Sequence, residues 1–417
     1  MSSTLTCPYR LFTKSCSPNK IIDKIAENDS VQLQNNIQIS ISETIDDCPD
    51  WSKIAANQTL FLQPDYLKAL ESCPPEGMRF AYLTFYKNDQ PCGIAYAQIF
   101  KFSTYESLKH HKSFNDEKAK FLRLKKWFAH RLEFYSIVCG NVLMTGEYGY
   151  RFDNQLINKE SQFEIVNQGL EVLRKQLKQK GVKASVTLFK DYFEKNRQNI
   201  ENTSFGEFQI QPNMVIEIQE DWKKLDDYLS AMSSKYRVRA KSAFKKAKDI
   251  EKQELGLAEI KRYETQMFEL YNQIVESAGF NGIKLQQNYF TNLKEHLNEK
   301  FKVIGYFKDG ELIGFYTVFF EKEVMESHYL GINQEENRQY QLYINMLYDM
   351  IKMGIYHEVK RIFLARTALE IKSSVGAEPH DLFFYLKNHN PIFNALAYRT
   401  FDLFNPQEAW TQRRPFK

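Results

Sequence analysis

Cysteine is scarce and poorly placed for either disulfide or metal chemistry. The six residues Cys7, Cys16, Cys48, Cys73, Cys92 and Cys139 all fall in the first third of the chain, and no CxxC or Cys/His spacing of the kind that holds zinc occurs. Reduced thiols in a cytoplasmic protein are the expectation, with no metal. An excess of one charge is also lacking: 56 Lys and Arg stand against 52 Asp and Glu, so nothing global marks a dedicated nucleic-acid binder. No run approaches the ~18 apolar residues that a membrane span needs, and Met1 to Lys20 has no apolar export signal. A soluble protein is expected, touching the inner face of a membrane from one side at most.

What is present is core-forming material. The 417 residues are 43% hydrophobic and 14% aromatic, with 32 Phe and 24 Tyr. That length suits two cores better than one. Residues 1–35 read as a polar lead-in, 36–205 as a first unit, 213–405 as a second and 406–417 as a tail, with a linker over roughly 195–212. In the first unit Ile37-Gln-Ile-Ser-Ile-Ser alternates as a strand, and Pro64 to Ser72 reads as a helix with Pro near its start. Met78–Tyr86 and Cys92–Phe102 read as a hairpin. Segment 101–134 carries nine Lys/Arg, and Phe121, Leu124, Phe128 and Leu132 recur at near-helical spacing with Trp127 beside them, as in an interfacial helix or in a helix packed on the core with an exposed basic side. A strand Phe134–Met144, a glycine-containing loop Thr145–Tyr150, a helix Ser161–Lys180 and a strand Ala184–Phe189 complete the unit.

The second unit opens with a strand at Met214–Ile218. A long basic helix over Lys235–Lys252 and helices at Thr265–Ser277 and Leu285–Asn298 come next. A hairpin Phe301–Phe307/Leu312–Phe320 then turns on Asp309-Gly310. A strand Val324–Gly331, a polar turn Asn333–Arg338, a helix Tyr340–Met353, a strand Arg361–Ala365 and a polar run to Pro379 lead to a helix Ile392–Phe404. Two matches relate the units. Leu62-Gln-Pro-Asp-Tyr66-Leu-Lys-Ala-Leu70 aligns with Leu285-Gln-Gln-Asn-Tyr289-Phe-Thr-Asn-Leu293, and Tyr86 to Ile94 aligns with Phe307 to Phe315 without a gap. Two matches in order imply a tandem duplication.

Helices, hairpin, strand, helix and strand in this order resemble the GNAT acyltransferase fold, here an α/β (α+β) chain of two tandem GNAT-like domains, each a mixed, mainly antiparallel sheet flanked by helices. Two units in one chain are similar to the Fem peptidoglycan-bridge transferases and related GNAT N-acyltransferases. The basic helix Ser234-Lys-Tyr-Arg237-Val-Arg239-Ala-Lys241 is similar to a Lys/Arg-rich helix of that family. Phe363-Leu-Ala-Arg366-Thr367, with Lys372 and Gly376 behind it, is similar to the family's second strand end. The resemblance implies a bacterial N-acyltransferase of lipid biosynthesis with its active site in the second unit. It would move an acyl group from acyl-CoA or acyl carrier protein, as co-substrate rather than bound cofactor, to an amine acceptor such as an aminolipid or lipid-linked precursor. The alternative is a Fem-like transferase using aminoacyl-tRNA, and a further one is a catalytically degenerate pair acting as a binding protein.

Acyl transfer to an amine needs a polarised carbonyl and a base for the ammonium proton. Alternation on the strand puts Glu326 and His328 on one face and Ser327 and Tyr329 on the other. Glu326 or His328 is the expected base and Tyr329 an acid for the leaving thiolate. Arg366, Thr367, Glu370 and Lys372, with Arg237 and Arg239, are expected to bind substrate, and Arg338 and Gln339 the donor. The sequence departs from the family at the pyrophosphate turn. In place of a Gly-x-Gly/Ala loop stands Asn333-Gln-Glu-Glu-Asn-Arg338-Gln, which has no glycine and two acids. The resemblance accommodates this when the donor is a carrier protein or aminoacyl-tRNA.

Overall fold

In the computed structural model the described residues are 31–33, 36–56, 58–103, 133–195, 200, 203–277, 283–396 and 410–416. Residues 104–132 of the expected interfacial segment 101–134, the lead-in before residue 31, Cys7, Cys16 and the last helix beyond residue 396 lie outside them, while the two ends of that segment belong to strands. The strands are β1 Val31–Gln32, β2 Ile37–Ser42, β3 Arg79–Lys87, β4 Gln90–Ser103, β5 Glu133–Cys139, β6 Tyr150–Phe152, β7 Ala184–Tyr192, β8 Gly206–Glu217, β9 Glu251–Glu254, β10 Phe301–Lys308, β11 Glu311–Glu321, β12 Val324–Ile332, β13 Arg361–Phe363 and β14 Glu378–Asn388. Both hairpins turn on residue pairs with positive φ, Asn88-Asp89 at 51° and 61° and Asp309-Gly310 at 50° and 82°. That geometry matches the twist of the flanking strands.

All fourteen strands join one sheet in the order β1-β2-β3-β4-β5-β7-β14-β8-β13-β12-β11-β10-β9, with β6 beside β4. Leaving aside the edge strand β1, the run β2-β3-β4-β5-β7-β14 is matched from the other end by β9-β10-β11-β12-β13-β8. Each half is a run of antiparallel strands closing on one parallel pair, β5 with β7 and β12 with β13. The helices Lys159–Gln179 and Leu342–Tyr356 make the two crossovers. The last strands are exchanged: β8 leaves the first half to pair with β13 of the second. In return β14 pairs with β7 of the first half and with β8.

Three cores follow from this. One belongs to the first half and another to the second. The third lies between the halves, where Trp51, Tyr66 and Tyr96 from one meet Tyr271, Tyr289 and Phe319 from the other. The repeat-related Tyr66 and Tyr289 are both fully buried there. Among the described residues no helix is long and apolar enough to cross a membrane.

Several sequence expectations are corrected. The supposed linker contains most of β8, which starts at Gly206. The polar turn after β12 is a helix, Gln334–Tyr340, separated from Leu342–Tyr356 by Gln341 at φ 54°. The basic helix stops at Lys246, and Glu251–Glu254 is the edge strand β9 instead. Ala365, placed in a strand by its apolar neighbours, has φ 59°, and β13 ends at Phe363.

Candidate active site

β12 and β13 stay paired only over Val324–Glu326 and Arg361–Phe363. β12 then runs on to Ile332 without that neighbour, so the parallel pair opens just past Glu326. On its other side the register with β11 shifts between Tyr316 and Val318. Thr317 alone therefore stands opposite His328 and Tyr329, a β-bulge. Its hydroxyl accepts from Tyr329 N at 3.1 Å and donates to Tyr329 O at 2.9 Å. The bulge breaks the alternation assumed for this strand. His328 and Tyr329 both lie against the Tyr289 ring, at 5.7 and 6.2 Å between centroids, rather than on opposite faces.

His328 shares a 2.9 Å hydrogen bond between Nε2 and the Tyr289 hydroxyl. Burial pulls its imidazole down to about 3, so it is neutral at ordinary pH. Tyr329 is pushed well above the phenol range by burial. Glu326 is 4% exposed, and its Oε1 accepts from the Tyr148 hydroxyl. Burial raises this carboxyl to about 8, against the opposing pull of Tyr148 and the Lys190 ammonium. A carboxyl poised there matches the task of taking a proton from an ammonium.

Tyr148 comes from the first unit, at the end of the loop Thr145–Tyr150. Gly146, at φ 153°, permits its approach: a Cβ there would lie 2.6 Å from Cζ of the Tyr148 ring. Behind the loop, Lys190 and Asp191 form a fully buried ion pair, and Arg366 NH1 of the second unit lies 3.6 Å from Asp191 Oδ1. Tyr148, Lys190 and Asp191 are not among the residues that the sequence marks as site residues. Only the glycines of the loop marked the place, because the partner Glu326 is 178 positions away.

The units are not equivalent here. Gln98 and Phe319 stand at the same distance beyond the repeat-related Gly93 and Gly314, and they face Val138 and Glu326 respectively. The first unit carries valine where the second carries the acid.

A cavity of about 620 Å³ opens over this point between the halves. Glu147, Glu194, Glu321, Glu323 and Glu326 line it, with Arg151, Lys322, Lys360 and Arg361. Glu323 is paired with Lys360 at 2.7 Å, and Glu321 accepts from Thr59 Oγ1 at 2.8 Å. Arg151 donates to carbonyls, Tyr150 O at 2.7 Å and Glu147 O at 2.8 Å. The lining is largely apolar, with charged side chains of both signs set in it, and the buried Glu326 is among them.

The remaining sequence-selected residues lie apart from the cavity lining. Lys372 is buried, donates to Ala365 O at 3.3 Å and is pulled down to about 7 by desolvation. Thr367 and Glu370 are exposed, and Glu370 accepts from Arg413 Nε at 3.0 Å. Arg237 donates to Ser230 O and Met232 O, both at 3.3 Å. Arg239 is exposed, 5.6 Å from the Tyr236 ring. Arg338 and Gln339 are also exposed, and Gln339 donates to the Tyr340 hydroxyl at 2.9 Å.

The helix Gln334–Tyr340 does not offer its N-terminus to a pyrophosphate. Asn333 Oδ1 already accepts from Glu335 N at 3.0 Å and Glu336 N at 3.2 Å, and the two glutamates add negative charge where an anion would sit.

No family model and no curated protein matches the chain. Among solved structures, FemX is similar at 12% identity and a TM-score of 0.48, over 80% of this chain and 92% of that one. A tandem GNAT protein from the clavulanic acid biosynthesis pathway is similar at 10% identity and 0.47, over 85% and 99%. L-PGS from Bacillus licheniformis is similar at 9% identity and 0.44, over 82% and 96%. The chain's own strand order, two antiparallel runs that each close on one parallel pair and exchange their last strands, makes it two GNAT-like units in tandem.

Proposed function

We propose that the chain is an N-acyltransferase whose second unit performs the chemistry, with Glu326 as base. The observation that carries this is a buried carboxyl raised to about 8, where the β12–β13 pairing ends and in the lining of a cavity between the units that carries side chains of both charge signs. An acceptor ammonium in the cavity gives one proton to Glu326. The free amine attacks the acyl carbonyl, the C–N bond forms, the C–S bond of the thioester breaks and the leaving thiolate takes up the second proton that the nitrogen sheds as it becomes an amide. The mixed-charge lining suits a polar amine, either free or as the headgroup of a lipid.

The capped helix Gln334–Tyr340 supports a donor borne by a carrier protein over one held through a nucleotide pyrophosphate. A second reading, an aminoacyl-tRNA donor, is favoured by the exposed cations Lys235, Arg239, Lys241, Lys245 and Lys246. They lie on a helix whose Ala243 O accepts from Asn345 Nδ2 of Leu342–Tyr356 at 3.1 Å.

The test is thiol release from acetyl-CoA, palmitoyl-CoA and palmitoyl-carrier protein, with mass spectrometry of amines and lipids that co-purify. Consumption of one thioester that is lost in Glu326→Gln is the expected result. No consumption of any thioester, together with RNase-sensitive aminoacyl transfer, would replace it by the second reading.

A further inference from the structure

We propose that the first unit supplies the supporting apparatus of the second unit's base: Tyr148 is a positioning residue for the Glu326 carboxylate, and the Lys190–Asp191 pair holds the loop that carries Tyr148. The inference deepens the acyl-transfer reading of Glu326 and rests on it.

The loop is pinned at three points. Lys190 Nζ donates to Met144 O at 2.7 Å and to Asp191. Asp191 Oδ2 accepts from Gly146 N at 3.1 Å. Tyr148 N donates to Gly146 O at 3.0 Å, which folds the ring back over the glycine. The Tyr148 hydroxyl then crosses to the second unit and donates to Glu326 Oε1. No hydrogen bond from the described residues reaches Oε2, which is the oxygen left for an incoming proton.

Because burial pushes the Tyr148 phenol well above its usual range, it acts as a donor and does not ionise. A donor facing a buried carboxylate favours the charged, proton-accepting form. The other groups facing Glu326 are Lys190 from β7, which also favours the charged form, Glu321 from β11, which opposes it, and Tyr66 from helix Pro64–Ser72, which stays neutral. Arg366 draws on Asp191 from the second unit's side, so the pinned loop is anchored to the strand end beside the base. With Val138 at the acid's place in the first unit, this loop serves its neighbour's site.

The experiment is a carboxyl titration of the full chain carrying 13C at the glutamate side-chain carboxyls. Glu326→Gln assigns the resonance, and Tyr148→Phe and Lys190→Met are compared with the parent. The parent midpoint is expected near pH 8. Tyr148→Phe is expected to move it up by about one pH unit, the size of a lost hydrogen bond to a charged group, and Lys190→Met to move it in the same direction. A parent midpoint in the ordinary carboxylate range, or a midpoint unmoved in either folded variant, overturns the inference. Should Tyr148→Phe fail to fold, Lys190→Met decides alone. Thioester turnover of the parent is read separately: its absence sinks the acyl-transfer reading whatever the titration shows, whereas turnover with an unmoved midpoint sinks only this inference.

Discussion

Replacing Glu326 by Gln removes a carboxyl that the fold holds at about 8 instead of 4.5, while leaving an oxygen to accept from Tyr148. The fold thus favours the protonated acid, and the unfolded chain releases that proton at lower pH. Below about pH 4.5 the two states are equally protonated and Glu326 costs nothing. Between there and pH 8 stability falls as pH rises, and above pH 8 the whole cost is present. With about 1.4 kcal/mol for each pH unit of displacement, that cost reaches about 5 kcal/mol. Lys190, pulled down to about 8 from 10.5, acts in a different window. Its cost is constant below pH 8 and declines above, in parent and variant alike. The loss of its Glu326 neighbour trims the expected difference to about 3–5 kcal/mol. Urea unfolding of both proteins at pH 5, 6.5, 8 and 9 measures it. The Gln variant should be nearly matched with the parent at pH 5 and clearly more stable at pH 8, while thioester turnover is lost. Profiles that run parallel across the range would show that Glu326 is not a strained buried base, and the proposed chemistry would lose its footing.

Three further outcomes follow from the same geometry. His328 is held neutral with its imidazole pulled from 6.5 to about 3, so stability should drain away as pH falls through that interval. His328→Gln should flatten the acid limb of a pH–urea profile. Asn333→Ala removes the acceptor for two backbone N–H groups and should cost about 1 kcal/mol in urea unfolding, with no gain in CoA affinity by calorimetry, since Glu335 and Glu336 remain. Gly376 has φ 90°, and a Cβ there would collide with the Phe416 ring. Gly376→Ala should therefore lift the C-terminal segment from Trp222, its neighbour at 5.4 Å, seen as a red shift and loss of structure in Trp222 emission.

How far the sequence revealed the molecule depended on whether the signal was local. The turn at Asp309-Gly310 and the strands beside it were legible, because side-chain alternation and φ requirements act between near neighbours. So was the duplication, through residues such as Tyr66 and Tyr289 that fill one shared core. Met214 onward reads as a strand, but the earlier part of β8 reads as linker because Glu207, Gln209, Gln211 and Pro212 give it the composition of a loop, and only its non-local partner β14 makes that part a strand. The bulge at Thr317 left no mark in the alternation of β12, so His328 and Tyr329 were assigned to opposite faces. Glu326 could be named from its strand. Its partners Tyr148 and Lys190 could not, because contacts between units have no periodicity to betray them. Segment Gln334–Tyr340 looked like a turn from its charge, yet Asn333 in front of it carried a helix-start signal.

The exchange of β8 and β14 has a consequence for synthesis on the ribosome. While the chain emerges, the edge of β7 has no neighbour until β14, the last strand among the described residues, has been made. During that interval a row of backbone donors and acceptors stands open, the kind of edge that recruits strands from other chains. A nascent chain released before β14 would carry that open edge. Each half takes its last strand from the other's stretch of chain, so neither half of the sheet is complete without both.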